Sequence, residues 1–291
     1  MRIAVTGKQG QVVSALLERG PAAGVEIVAV GRPELDLVDR SSIRAVFSEI
    51  KPDAIVSAAA YTAVDKAESE EALAFVVNAD GPTVIAETAK ELGVPVVHLS
   101  TDYVFPGDKQ GVYVETDPTG PVSAYGRSKL AGEEGIAAVN PNHVILRTAW
   151  VYSPFGANFV KTMLRLAETR NAVNVVADQH GTPTSALDIA DAVIAIVKRL
   201  STDSNPKLRG VFHLTGSGEA TWADFAEAIF AGLRAKGGKT VSLGRITTAD
   251  YPTPAKRPAN SRLSNDKLKQ VYGIVLPDWK DATRAVLDRL L

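Results

Sequence analysis

The 291-residue chain contains no cysteine. That absence excludes disulfide staples, thiolate metal sites and a cysteine nucleophile. It contains no run of about 18 apolar residues, so no membrane-spanning helix is expected. Neither sign of charge is in excess: 32 Lys+Arg stand against 33 Asp+Glu, for a formal net charge of −1. A nucleic-acid binder needs a basic face, so neither nucleic acid nor membrane is an expected partner. No internal repeat, low-complexity tract or long charged run occurs. The opening MRIAVTG enters a strand-like run with no signal-peptide pattern, which makes the cytoplasm the expected compartment. The composition is that of an ordinary soluble globular protein, 45% hydrophobic and 22% charged. The length suits one large α/β domain or a domain and a half.

Short β-rich runs alternate with longer helical ones. RIAVT (2–6), VEIVAV (25–30), DAIVSAAA (53–60), VPVVHLS (94–100) and HVILRT (143–148) read as strands. QVVSALLERG (11–20), the serine-capped SSIRAVFSEI (41–50), the stretch from Glu70 to Leu92 and the segment after Pro121 read as helices. That alternation means βαβ units and a parallel sheet covered on both faces. The pattern loosens after Trp150. Helices are expected over 157–170, 188–200 and 221–237, strands over 172–178 and 210–215, and a closing helix from about Asp278. YPTPAKRPANSRLS (251–264) reads as an ordered extended loop. The expected fold is α/β: a doubly wound parallel sheet (Rossmann) with a smaller C-terminal substrate-binding lobe. Residues 1–150 and 172–215 are assigned to the dinucleotide-binding half, and 151–171 and 216–291 to the lobe. Ligands of such sheets sit beyond the carboxyl ends of the strands, where strand order reverses.

TGKQGQVV (6–13) joins the first strand to the first helix. Gly7 and Gly10 permit a tight turn, and the helix start behind them offers free N–H groups to a pyrophosphate. The spacing is G-x-x-G, and Val13 occupies the third glycine position of the longer G-x-x-G-x-x-G form. Any βα turn with two glycines would look similar, but this one follows the first strand of a βαβ series. After the second strand the chain reads VAVGRPELD, with Arg32 ahead of any carboxylate. An arginine there accommodates the 2′-phosphate of NADP, so NADPH is favoured and NADH remains possible. Arg32 could equally be a solvated loop charge.

PVSAYGRSKLAGE (121–133) carries Tyr125 and Lys129 four apart, on one helix face. Read alone, the pair is common surface chemistry. Strand VPVVHLS, however, delivers Ser100, Thr101, Asp102 and Tyr103 to the sheet's carboxyl end. A hydroxyl there and a tyrosine from the next helix can converge on one carbonyl oxygen. Lysine beside a phenol favours its ionised form; the phenol can protonate a forming alkoxide; Thr101 can hydrogen-bond the same oxygen. Hydride would come from the cofactor. His98, mid-strand between Val97 and Leu99, reads as structural, and nothing marks His180 as a base.

These motifs resemble the extended short-chain dehydrogenase/reductases. The resemblance runs through GKQGQV (7–12), AAAYTAVDKAE (58–68), STDYVFPG (100–107), YGRSKLAGE (125–133), RTAWVY (147–152), NFVKTMLRLA (158–167), DQHGTPT (178–184) and YPTPAKRPANSRL (251–263). It implies reduction of the C4 ketone of a dTDP-sugar, dTDP-4-dehydro-L-rhamnose, by NADPH or NADH. Tyr125 would be the acid, Lys129 would tune it and hold the cofactor ribose, and Thr101 would polarise the carbonyl. Gly10, Gln11 and Val12 would meet the pyrophosphate, Asp36 and Leu37 the adenine, and Ala60, Tyr61 and Thr62 the cofactor at the third strand. Thr101, Asp102 and Trp150 would contact substrate, and Asn158 and Arg257 its diphosphate, for which an arginine fork is suited.

Some members of this family are described with Mg2+ held by acidic residues at a dimer interface. Here QVVSALLE has no acid before Glu18, and Leu187 stands where another acid would be needed. No metal is expected, and either a monomer or a homodimer fits. Two alternatives stay open: another nucleotide-sugar epimerase or dehydratase, and a non-catalytic regulatory subunit. A dehydratase would want an Asp-Glu pair after the hydroxyl, where this chain has Asp102-Tyr103. The intact Thr101, Tyr125 and Lys129 set speaks against a purely regulatory role.

Overall fold

A computed structural model describes all 291 residues. Five short runs of branched aliphatic residues form β1 (Arg2–Thr6), β2 (Glu26–Val30), β3 (Ala54–Ser57), β4 (Val96–Thr101) and β5 (His143–Thr148). With the strand Gly210–His213 they make one six-stranded parallel sheet, ordered Gly210–His213, β5, β4, β3, β1, β2. Central parallel strands are covered on both faces, and β3 is accordingly buried at all four positions. One face carries α1 (Gln11–Ala22) and the helix Ala186–Thr202, whose Leu16, Val193 and Ile196 are fully buried. The other face carries Phe47, Ile43, Ile85 and Ile136. Strand order reverses between β1 and β3, which places the ligand crevice at their carboxyl ends.

Two expectations are corrected. The strand expected at 172–178 forms as Ala172–Val176, but it pairs in parallel with Ser242–Ile246, outside the main sheet. Its alternating burial is that of a strand with one wet face, unlike the continuous burial of the central strands. It therefore sits with the C-terminal residues and not with the dinucleotide-binding half. The long helix expected from Glu70 to Leu92 is divided into Glu71–Phe75, a π-helical turn Val76–Asp80, and Gly81–Glu91. Pro82 lacks the N–H that would continue an α-helical ladder, and π turns relieve such breaks. The turn presents Asn78, buried completely, to the crevice side of the molecule.

The C-terminal residues return to the sheet through loop 251–264. Asn260 donates to the carbonyls of Lys109 and Gly111, both at 2.7 Å, and Tyr113 bridges to Leu263. No helix is long and apolar enough to cross a membrane.

Candidate active site

A cleft of about 490 Å³ opens at the β1/β3 reversal. Its lining joins Gly7, Gly10, Gln11 and Val12 of the first turn, Ala60 and Thr62 after β3, and Tyr125 and Lys129. Gly7 adopts φ +102°, open to glycine without strain. A Cβ there would press on Val13 at 3.2 Å, so the valine fills space that the glycine leaves. Thr6 holds the reversal together: its hydroxyl accepts from the amides of Ala58 and Ala59, both at 3.0 Å. No side chain caps α1 at Gly10, and no acid lies in its first turn. Those free N–H groups and the dipole's positive end suit a pyrophosphate.

The helix Ala124–Val139 begins at Ser123, whose hydroxyl accepts from Gly126 N–H at 3.1 Å. That cap aims Tyr125 and Lys129 at the cleft from one face. Gly132 lets the helix approach closely, since a Cβ would lie 2.1 Å from the Asn78 carbonyl oxygen. Burial pushes the Tyr125 phenol well above its ordinary value; the Asp102 carboxylate adds to this and Thr101 opposes it. Lys129 is not turned against the phenol, as the spacing led us to expect. Its Nζ donates to the Leu99 carbonyl at 2.7 Å and to His98 Nε2 at 3.0 Å. Burial draws its pKa down to about 8, against the pull of Glu133. Thr101 is buried, donates to Asp102 Oδ1 at 2.9 Å and accepts from Tyr103 N–H. Burial raises Asp102 to about 6. Asp102 Oδ2 and the cleft-lining Thr148 Oγ1 are buried without a partner in the protein.

Beneath these groups lies a polar layer that sequence reasoning missed. Glu133, one further turn along the Tyr125/Lys129 face, takes a forked contact from Arg147 (2.6 Å from Nη2) and a hydrogen bond from Ser100 Oγ at 2.5 Å. The Tyr-Lys-Glu spacing of four and four was the available signal. Asn78 accepts from Tyr61 N–H at 2.7 Å and donates to the Tyr61 carbonyl and to Ser128 Oγ, pinning the post-β3 loop to the helix Ala124–Val139. His98, read as structural, is buried and bonded to Ser57, and it also contacts Lys129.

Other expected residues lie around the cleft and not in its lining. Arg32 is exposed and forms no ion pair, whereas Lys8 pairs with Glu34 across the same corner. Asp36 accepts from Val38 N–H, and Leu37 is buried against Gly81. Tyr61 donates its hydroxyl to Glu70 at 2.7 Å. Trp150 holds the left-handed φ of +50°, rare for a bulky side chain, and stacks on Trp222 at 3.7 Å. Asn158 differs from expectation: it caps the helix Phe159–Thr169 and donates to Gln11 Oε1 and the carbonyls of Ser153 and Phe155. Its amide is committed to bracing Gln11, which leaves no donor for a diphosphate. Arg257 donates to Asp65 Oδ2 at 2.8 Å and to Tyr103 Oη at 3.3 Å. No three acidic or imidazole groups gather as for a metal ion, and Glu18 is clasped by Arg289 at 2.7 and 2.8 Å.

A family model described as RmlD substrate binding domain matches residues 1–291. A dTDP-4-dehydrorhamnose reductase from Sinorhizobium fredii is 56% identical over 291 residues, covering 100% of this chain and 98% of that protein. The crystal structure of such a reductase from Clostridium acetobutylicum superposes with a TM-score of 0.92 at 38% identity, covering 100% and 99% of the two chains. One from Bacillus anthracis, in complex with NADP, gives 0.92 at 33% identity, with 99% of each chain covered.

Proposed function

The chain belongs to the RmlD substrate binding domain family, and from that premise we propose that its cleft reduces the C4 ketone of dTDP-4-dehydro-L-rhamnose to dTDP-L-rhamnose, with Tyr125 as the proton donor. It is an NAD(P)H-dependent oxidoreductase. The observation that carries the residue roles is the meeting of Tyr125 and Lys129 with the glycine turn of β1 in one cleft. The relative holding NADP supports a nicotinamide cofactor, and the uncapped α1 start fits its pyrophosphate.

When bound, the cofactor supplies hydride to C4. The protein does the rest. The amides behind Gly7, Gly10, Gln11 and Val12 hold the pyrophosphate, Asp36 and Leu37 border the adenine, and Ala60, Tyr61 and Thr62 border the cofactor at β3. Arg32, unpaired at the end of β2, favours NADPH over NADH. The raised pKa of Tyr125 keeps Oη protonated at neutral pH, ready to give its proton to an alkoxide, a far stronger base. Lys129 is the only charged side chain lining the cleft; it is not bonded to the phenol, and its charge, on the same helix face, is the one available to favour the phenolate left behind. Thr101 reaches the same oxygen by turning its one O–H away from Asp102 Oδ1. Asp102 Oδ2 has an open acceptor for a sugar hydroxyl, Trp150 presents an apolar wall, and Arg257 stands at the mouth for the diphosphate. The reading puts the sugar nucleotide between the sheet and the C-terminal lobe, with which Ala172–Val176 pairs.

The test is loss of NADPH absorbance with dTDP-4-dehydro-L-rhamnose. Wild-type protein turns over, and Tyr125→Phe loses roughly 10²–10⁴ in kcat while still binding NADPH. A Phe variant that retains wild-type kcat would remove Tyr125 from the acid's role.

A further inference from the structure

We infer that His98 is a positioning residue for Lys129, a buried imidazole that accepts one Nζ–H at Nε2, is held from behind by Ser57, and thereby fixes where the lysine presents its remaining N–H in the cleft. The inference rests on the assignment of Lys129 to the reacting set.

The donor inventory forces the arrangement. An ammonium has three donors and no acceptor. Lys129 Nζ spends one on the Leu99 carbonyl at 2.7 Å and one on His98 Nε2 at 3.0 Å, leaving one for the cleft that Lys129 lines. Nε2 must therefore be the bare nitrogen, and Nδ1 carries the proton, which it donates to Ser57 Oγ at 3.0 Å. A charged imidazole would bring a donor against a donor. Burial and the neighbouring Lys129 both hold His98 well below its ordinary range, so it stays neutral. His98 is 1% exposed and Lys129 2%, and no water is needed to complete either contact.

The surroundings leave His98 no competing role. β3 supplies neutral Ser57, and Ile145 of β5 stands beside it in register. The buried charged groups on the helix packed against this face are Lys129 itself and Glu133, and Glu133 is already taken by Arg147 and Ser100. Without Nε2, the ammonium would keep a single protein acceptor and could swing about the Leu99 carbonyl. A reacting group misplaced by an ångström can lose up to about a hundredfold in rate.

Three variants are compared by steady-state kinetics and by NADPH binding. His98→Leu removes the acceptor at similar size and should lower kcat about tenfold with little change in KM for the keto-sugar. His98→Gln offers an amide oxygen to Lys129 and an amide N–H to Ser57, and should recover most of that loss. Lys129→Gln tests the premise: if it is fully active, the role given to Lys129 fails, whatever His98 does. If it is inactive while folded His98→Leu keeps wild-type kcat, only the role of His98 fails. Equal losses in the Leu and Gln variants would reduce His98 to packing and overturn the proposal. Long-range 1H–15N NMR of the wild-type protein decides the matter if the Leu variant does not fold. The expected spectrum shows the Nδ1–H tautomer of His98, unprotonated at Nε2, across about pH 6 to 7, where Lys129 is an ammonium. An Nε2–H tautomer or an imidazolium there would overturn the assignment.

Discussion

At the floor of the cleft, Glu133 and Arg147 pair at 2.6 Å with side chains 4% and 6% exposed. At its mouth, Asp65 and Arg257 pair at 2.8 Å with side chains 40% and 28% exposed. The chemistry is the same and the consequences differ. At the floor each charge has left water, and removing one partner strands the other in a poorly polarisable interior. At the mouth water solvates whatever the partner releases, so the contact is weak and exchangeable. A floor built this way is fixed, which suits Tyr125, Thr101 and Lys129. A mouth built this way can trade Asp65 for a ligand oxygen, which suits Arg257 as a diphosphate contact.

The sharpest way to break the comparison is to break both pairs. Glu133→Leu should lower the unfolding free energy by about 3–5 kcal/mol in urea titrations. Asp65→Asn should change it by less than about 1 kcal/mol. Equal losses would mean that the floor pair is hydrated after all, and the distinction drawn from burial would fall.

What could be read in the sequence divides along a related line. The sheet was legible because parallel strands are continuous apolar runs and their periodicity is local. Tyr125 and Lys129 were legible because helical spacing puts i and i+4 on one face. Glu133 obeys that spacing too, but its partners come from β4 and β5, and no local pattern announces a contact made across a packed layer. The same holds for His98, whose partner is 31 residues away. Strand pairing of Ala172–Val176 was misplaced for a related reason: its run of valines promised a strand, while its neighbour, Ser242–Ile246, is set by how the lobe folds back. Asn158 looked like a ligand contact, yet an Asn just before an apolar helical run is also a helix cap, and the cap took precedence.

A smaller effect sharpens the comparison through pH. Asp102 is buried and its pKa is raised from 3.8 to about 6, so the native state holds its proton more tightly than the unfolded chain does. Its contribution to stability is greatest below about pH 4 and is lost as pH rises through about 6. Relative to Asp102→Asn, which keeps the acceptor for Thr101, wild type should lose on the order of 3 kcal/mol between pH 4 and pH 7. Asp39, exposed where it caps Arg40–Ile50, is shifted the opposite way by hydrogen bonds from Ser41. Its contribution is therefore retained at high pH and lost under acid. Paired urea titrations of wild type and Asp102→Asn across that range measure the difference. A constant difference would show that the Asp102 carboxylate reaches solvent.

The smallest effect belongs to another exposed pair and concerns cofactor choice. Lys8 pairs with Glu34 across the end of β2, and a Cβ on Gly31 would meet the Lys8 stem at 3.4 Å, so the lysine lies over that corner. This is the corner where the 2′ position of an adenosine ribose is read in doubly wound sheets. Glu34 has two effects there: it neutralises Lys8, and it would repel a 2′-phosphate while accepting from a 2′-hydroxyl. Glu34→Gln removes the repulsion and frees Lys8 beside the already unpaired Arg32. The ratio of kcat/KM for NADPH over NADH should rise by roughly threefold to tenfold, a modest change that fits an exposed pair. Unfolding free energy should stay at the wild-type value, because both side chains are well exposed. Because the interaction is exposed, the gain should shrink as salt is raised past about 0.15 M, where charges beyond about 8 Å are screened. An unchanged ratio at low salt would place the 2′ reader elsewhere and leave the Lys8–Glu34 pair as surface chemistry alone.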